Sequence, residues 1–286
     1  MEATSLGASN PRLRRLRKLT AKSRARSDEG VFVIDGPRLV GDAITAGVAV
    51  REIYGDEAEL GALLRDRSIG DDTEVFRVDP EVLTSVLDPV SPRPLAAVAA
   101  MPSAGVASVL AASGPILVAV ELGDPGNLGT VLRTAEAAGM VGVVVAGRSV
   151  DRFAPKVVRA SAGSLFRLPV AEADDPAALI DDLRKAGHPS VATVVDAGAS
   201  AHDRADLTEA AILLGNEPHG LAPEIVAAAD TAITIPMAPG VESLNVAAAA
   251  AVLCFEAARQ RRAVAGGAVG AADEKYVGHP PQQGRR

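Results

Sequence analysis

Between residues 116 and 235 six short, mainly apolar runs recur, at 116–121, 141–146, 166–170, 190–195, 211–214 and 231–235, with helically spaced segments between most of them. A strand that alternates polar and apolar residues can leave one face in water, whereas a strand that is apolar throughout must be covered on both faces. Strand and helix in alternation therefore predict an α/β fold, a mainly parallel sheet flanked by helices. Sheets of this kind bind ligands in the loops that leave the carboxyl ends of their strands. Those loops are where function has to be sought.

The first hundred residues carry the same rhythm on a smaller scale. Residues 1–9 are expected to be disordered. Asn10 followed by Pro11 is a helix cap and first-turn pair, so a helix is predicted to start there. Strands are expected at 31–34, 52–54, 74–78 and 95–100, with helices at 37–46, 60–65 and 80–87. At 286 residues the chain suits two domains of ordinary size. The predicted division is a small α/β domain over 1–101, a Gly/Ser/Ala-rich linker over 102–114 and a larger α/β domain over 115–262. The last helix is predicted to begin after Ser243 and run to Arg262, and 263–286, rich in Gly, Pro and Gln, to be a disordered tail.

Composition removes several classes of function. Aromatic residues make up 2% and Trp is absent, so the core must be built from Val, Leu, Ile and Ala. One cysteine, Cys254, in an alanine-rich apolar helix, offers neither a disulfide framework nor a zinc cluster, and four scattered histidines form no ligand set. No metal is expected. No uncharged apolar run approaches the ~18 residues of a membrane span, and the N-terminus lacks a signal-peptide core, so a cytoplasmic protein with no membrane partner is expected. The net charge of -7 hides an asymmetry: residues 11–26 hold eight of the 29 Lys and Arg and none of the 36 acids. Arg12, Arg14, Arg15, Arg17 and Lys18 in this run are candidate RNA contacts, because a local patch releases counterions from phosphates whatever the total charge.

Three strand-to-loop junctions carry polar groups. In ILVAVELGDPGNLGTVLRTAEAAGM, Asn127 is the predicted N-cap and Leu128, Val131, Leu132 and Ala135 form the buried stripe of the helix. Arg133 falls outside that stripe, and Gly129 one turn earlier leaves its guanidinium a path toward the loop. In ILLGNEPHGL the strand ends at Gly215, and Asn216 and Glu217 follow. In ITIPMAPGVESLNVAAAAA the strand ends at Ile235 and Pro236, and Ser243 is the predicted cap of a helix whose first turn holds Leu244 and Asn245. None of these is a dinucleotide fingerprint, a P-loop or a nucleophile elbow, which argues against a nucleotide-dependent oxidoreductase, an NTPase or a serine hydrolase. An Arg, two Asn, a Glu and a Ser are instead suited to holding a phosphate and a ribose hydroxyl.

In order and spacing, NLGTVLRTAEAAG, LLGNEPHGL and IPMAPGVESLNVAAAAAVLCFE resemble the three motifs of the SpoU (TrmH-like) RNA ribose 2′-O-methyltransferases of the SPOUT superfamily. The N-terminal segment FVIDGPRLVGDAI is similar to an L30e-like RNA-binding domain, with Asp35 where Glu is more usual. Pro218 and His219 replace the small residues that commonly follow the motif Glu. The resemblance implies a SPOUT-type parallel sheet with a C-terminal trefoil knot, and a homodimer with its active site at the subunit interface. It implies S-adenosylmethionine as cofactor, held by the loops around Gly215, Asn216, Ile235, Pro236, Leu244 and Asn245, and Arg133, Asn127, Glu217, Ser243 and Asn245 as catalytic residues.

Arg133 is the family's candidate base, but free guanidinium stays protonated above pH ~12. A split role is therefore expected, in which Arg133 holds a phosphate or the 2′-oxygen with help from Asn127, while Ser243, Asn245 and Glu217 order the donor and the loops. The RNA-binding unit and basic helix point to 23S ribosomal RNA. Some determinants of resistance to thiostrepton and avilamycin resemble this arrangement. A tRNA methyltransferase and an RNA-binding assembly factor without catalysis are the alternatives.

Overall fold

The computed structural model describes residues 3–67, 69–87, 95–102, 104–195, 200–216 and 219–268. The N-terminal sheet contains β1 (Thr4–Leu6), β2 (Val31–Asp35), β3 (Val50–Gly55), β4 (Glu74–Val78) and β5 (Leu95–Ala100), in the order β1-β4-β3-β5-β2. Strands β1, β4 and β3 run parallel, and β5 is antiparallel to both β3 and β2. Disorder over 1–9 is thus corrected for residues 4–6, which complete the sheet by pairing Thr4 with Phe76 and Leu6 with Val78.

Helix α1 (Pro11–Ala21) starts where Asn10 predicts, with the Asn10 side chain accepting from the N–H of Arg12 at 2.9 Å. Leu13, Leu16 and Leu19 at helical spacing bury one stripe against Val31, Val33 and Tyr54 of the sheet. Burying each such leucine contributes about 1.5–3 kcal/mol relative to exposure. The chain becomes extended at Lys22, and a separate helix α2 (Ser23–Glu29) follows. Helices α3 (Pro37–Thr45), α4 (Glu57–Asp66) and α5 (Pro80–Val86) complete this half.

Where a linker is expected, α6 (Val106–Leu110) buries Val109 and Leu110 against the second sheet. That sheet contains β6 (Ile116–Val120), β7 (Gly142–Ala146), β8 (Val170–Ala173), β9 (Ser190–Thr193), β10 (Ser200–Ala201), β11 (Ala211–Leu214) and β12 (Thr231–Thr234). Its order is β10-β12-β9-β11-β6-β7-β8 and every pair is parallel. Helices α7 (Pro125–Ala138), α8 (Pro155–Ala160), α9 (Pro176–Ala186), α10 (Pro223–Ala228) and α11 (Val246–Ala268) cover it. Consecutive strand residues serve opposite faces. Leu117 and Ala119 pack with α7 and α11, while Ile116, Val118 and Val120 pack with α9 and α10.

The strand expected at 166–170 lies elsewhere. Ser164–Phe166 forms a 3-10 turn after left-handed Ala162 (φ 48°) and Gly163 (φ 87°), and the strand begins at Val170. Leu165, Phe166 and Leu168 are apolar because they fill the core from a turn, and a short apolar run does not by itself specify a strand. Helix α11 continues six residues past the expected end at Arg262, and the rest of the predicted tail, 269–286, lies outside the described residues.

The two sheets share a core. The ring of Phe32 in β2 packs at a tilt against Phe153, with centroids 4.9 Å apart, and lies 6.2 Å from Phe166. Buried Arg26 donates from Nε to Asp151 at 3.1 Å, and Arg159 reaches Asp35 at 3.4 Å. Burial alone would push the Asp151 carboxyl up, but Arg26, Ser23 and the N–H of Phe153 hold it below its ordinary range. No described helix is long and apolar enough to cross a membrane.

Candidate functional site

Because all strands of the second sheet are parallel, the loops after β6, β9, β11 and β12 emerge along one edge. The cap of α7 lies three residues before the expected one. Asp124 takes the capping position, its Oδ1 accepting from the N–H of Asn127 at 2.8 Å, and Pro125 fills the first turn. The Asn127 N–H, with Lys156 Nζ 3.5 Å away, holds the Asp124 carboxyl below the usual carboxylate range. Asn127 is thereby corrected from cap to first-turn residue, and its side chain serves another element.

That element is the start of α11. The expectation that Ser243 caps this helix is corrected: the helix opens at Val246, and Asn245 accepts from the N–H of Ala247 at 2.9 Å. The Nδ2 of Asn245 donates to the Oδ1 of Asn127 at 3.1 Å, joining residues 118 positions apart. A carboxamide has both an acceptor and a donor, so one side chain caps its own helix and ties it to α7.

Beside this junction lies a cavity of about 410 Å³, within the range of small-molecule sites. Gly215 and Asn216 line it from the β11 loop, Ile235 from the end of β12, and Ser243 and Leu244 from the loop before α11. Pro236, Asn245, Asn127 and Arg133 are not among its lining residues. The first motif is thus joined to the cavity through Asn245, whose neighbours Leu244 and Val246 line it. Glu217 lies outside the described residues, as does Pro218. On either side of them, Asn216 bridges to Gly220, and the His219 N–H donates to Asn216 Oδ1 at 2.9 Å. A Cβ at Gly215 would lie 2.2 Å from the Gly220 carbonyl carbon, so no other residue fits there.

The sequence reading missed the end of β9. Thr193, Val194 and Val195 line the cavity because β9 sits between β11 and β12. Strand order is not written in the periodicity of a single strand, so no local signal could find them. Glu242, His219 and Met237 were also missed. The lining is mixed, with Leu214, Leu244, Val246 and Leu253 beside Thr193, Asn216, Ser243 and the carboxylate of Glu242.

Arg133 is exposed on α7 and makes no ion pair or side-chain hydrogen bond with any described residue. The role expected for Gly129 is corrected. It is buried, and a Cβ there would come 2.4 Å from Ala160 Cβ and 2.8 Å from the Val157 carbonyl oxygen, so it serves the close crossing of α7 and α8.

The five basic residues of α1 divide. Arg12 pairs with Glu52 at 3.1 Å and Glu74 at 2.9 Å, and Arg15 with Glu29 at 2.7 Å and Glu52 at 2.8 Å. Arg14, Arg17 and Lys18 face outward, Arg17 donating to the Ser85 carbonyl at 3.1 Å.

Comparison with known proteins places these features in a family. The SpoU rRNA methylase family matches residues 114–255, and an MRM3-like substrate binding domain matches residues 10–97. Over 249 residues the chain is 31% identical to the 23S rRNA (guanosine(2553)-2′-O)-methyltransferase RlmP of Bacillus subtilis, covering 87% of this chain and 96% of that protein. It is 31% identical over 271 residues to the 23S rRNA (uridine(2479)-2′-O)-methyltransferase of Streptomyces viridochromogenes, covering 91% of this chain and 93% of that protein. The AdoMet-bound rRNA methyltransferase of Sinorhizobium meliloti superposes with a TM-score of 0.79 at 30% identity, over 90% of this chain and 98% of that one. With parallel sheet, motif loops and relatives in agreement, the chain belongs to the SpoU rRNA methylase family.

Proposed function

We propose that this protein transfers a methyl group from S-adenosylmethionine to a ribose 2′-hydroxyl of 23S ribosomal RNA. The observation that carries the reading is the Asn245–Asn127 hydrogen bond, which ties the cavity wall to the helix that bears Arg133. The cavity suits the donor in size and chemistry, offering aliphatic walls for an adenine, Asn216 and Ser243 for hydroxyls, and Glu242 for a cationic ligand. When bound, S-adenosylmethionine supplies an electrophilic methyl on a sulfonium. The chain has to align the 2′-oxygen with that methyl and stabilise the oxygen as its proton passes to solvent water, to which the Arg133 side of α7 is open. Arg133 does this as a fixed cation on a phosphate or on the 2′-oxygen itself, its planar fork giving direction as well as charge. Asn127 and Asn245 fix the two helix starts relative to each other, and Ser243 and Glu217 order the donor loops.

Residues 1–101 act as the RNA-binding unit, with Arg14, Arg17 and Lys18 on phosphates, and residues 115–262 as the methyltransferase unit with its trefoil knot. The working form is a cytoplasmic homodimer. In support, α11 exposes Val252 and Phe255, and the segment before it exposes Leu244, large apolar side chains that a second subunit would cover. A role in self-resistance to a ribosome-targeting antibiotic is the finer reading, supported by the likeness to the S. viridochromogenes enzyme.

Unmethylated 23S RNA incubated with protein and methyl-labelled donor, followed by ribose-methylation mapping, tests the proposal. One labelled 2′-oxygen is expected. Labelling of tRNA alone would move the substrate class, and neither donor-binding heat nor label would identify an assembly factor without catalysis.

A further inference from the structure

On α7, the positions one turn from Arg133 are Gly129, which is buried against α8, and Thr130, Glu136 and Ala137, which reach the surface. Residues three apart on a helix are neighbours, so Glu136 is the natural ion-pair partner of Arg133. Such a pair would place the guanidinium on a carboxylate rather than on RNA. The carboxylate is held from the other side instead. Arg167 grips it with both arms, Nε on Oε1 at 2.5 Å and Nη2 on Oε2 at 2.9 Å, and Ser164 Oγ donates to Oε2 at 2.6 Å. Arg167 in turn keeps the Glu136 carboxyl below its usual range, with Ser164 adding to the effect.

The gripping residues stand on the turn that replaces the strand expected from sequence. Left-handed Ala162 and Gly163 fold the chain back on itself, and a Cβ at Gly163 would lie 2.9 Å from Arg167 Nη1. The backbone is bare where the guanidinium passes, and its left-handed geometry sets Ser164 and Arg167 over α7. Side-on Arg–carboxylate pairing is directional, so Glu136 is turned toward this segment.

We propose that Arg167 and Ser164 are positioning residues that sequester Glu136 and thereby keep Arg133 open to RNA. The inference rests on the assignment of Arg133 to the substrate. Removal of Arg167 would release a carboxylate beside Arg133, and an RNA phosphate would then have to displace it.

Single-turnover methylation and RNA binding of four proteins, the parent, Arg133→Ala, Arg167→Ala and Arg167→Ala/Glu136→Ala, test it. Arg167→Ala is expected to lower kcat/KM about 3- to 5-fold, the range an exposed ion pair can supply. It should also flatten the slope of log Kd against log salt by up to the equivalent of about one neutralised phosphate. The double variant is expected to recover most of both losses, because the competing carboxylate is gone. A merely structural role predicts the opposite, a double variant as impaired as Arg167→Ala or more so. If Arg167→Ala does not fold, Ser164→Ala, which loosens one bond to Glu136, is read in the same way with Glu136→Ala as its rescue. Parental turnover in Arg133→Ala would overturn the assignment of Arg133. A large loss there with no loss in Arg167→Ala, or no rescue in the double variant, would overturn the clamp alone.

Discussion

Arg12 and Arg15 stand in the most basic stretch of the chain and are engaged by carboxylates, whereas Arg133 is the one cation of its helix and meets none among the described residues. The reason lies in sheet register. Parallel pairing of β3 with β4 sets Glu52 opposite Glu74, and like charges directly opposite on neighbouring strands repel. Arg12 bridges both carboxylates, Arg15 takes the other oxygen of Glu52, and the hydroxyl of Tyr54 donates to it at 2.6 Å. Half-buried, this network is part of the fold. Local charge density therefore says little about which arginine is available to a ligand, and the opposite strand decides.

The sharpest way to break this contrast is to remove the arginine that stands apart. Arg133→Ala is expected to lower single-turnover kcat by about 100-fold or more, the loss seen when one donor to a developing oxyanion is deleted. Arg133→Lys should recover little of it, because an ammonium lacks the fork. Turnover near the parental rate in either variant would remove Arg133 from the site. A smaller effect is expected at the junction. Asn245→Asp keeps the cap of α11 but loses the donor to Asn127 and sets a carboxylate against its oxygen. A loss of about 10-fold in kcat with little change in Tm is expected, against about 1 kcal/mol of stability for Asn245→Ala, which also removes the cap. Equal turnover in Asn245→Asp and the parent would detach the first motif from the cavity.

These two sites also mark how far the sequence could be read. The alternation of apolar runs specified the parallel sheet, and Asn10 with Pro11 specified the start of α1, since both signals are local. Asn127 and Asn245 were legible as polar residues at helix starts but were put at the wrong positions in them, Asn127 as a cap and Asn245 inside a first turn. Whether a helix opens at Asp124 or Asn127 depends on one hydrogen bond, and the partner of Asn127 lies 118 residues away. Gly129 was assigned to Arg133 when its neighbour is α8. Phe166 failed as a strand residue because burial of a turn and burial of a strand demand the same side chains. The cavity walls from β9 could not be found without strand order, and the engagement of Arg12 and Arg15 could not be found without register.

The outward-facing bases give a prediction of intermediate size. Arg14→Ala/Arg17→Ala/Lys18→Ala should weaken RNA binding and reduce the slope of log Kd against log salt by about 0.7–0.9 for each phosphate that is no longer neutralised. At saturating RNA, kcat should be unchanged, since these groups act on encounter and hold. An unaltered salt slope would place the RNA on another surface and leave the basic run of α1 as a solvated face.

Arg12→Ala carries the smallest expected effect and the most direct test of what register implies. If Arg12 is part of the fold, its removal leaves the salt slope for RNA alone and appears in stability. Its side chain is 38% exposed toward water and Glu74 is 54% exposed, so the pair with Glu74 is screened and contributes little. The pairing with Glu52, 11% exposed, and the stacking of the guanidinium 4.5 Å from the ring centre of Phe76 contribute more. A loss of up to about 1 kcal/mol is expected in urea unfolding, because Arg15 remains to neutralise Glu52. The loss should shrink when Glu74 is replaced by Gln in the same chain, since the facing pair then carries one charge. A double-mutant cycle of Arg12→Ala and Glu74→Gln read by urea midpoint measures that coupling, and a flattened RNA salt slope in Arg12→Ala would instead return Arg12 to the nucleic-acid surface.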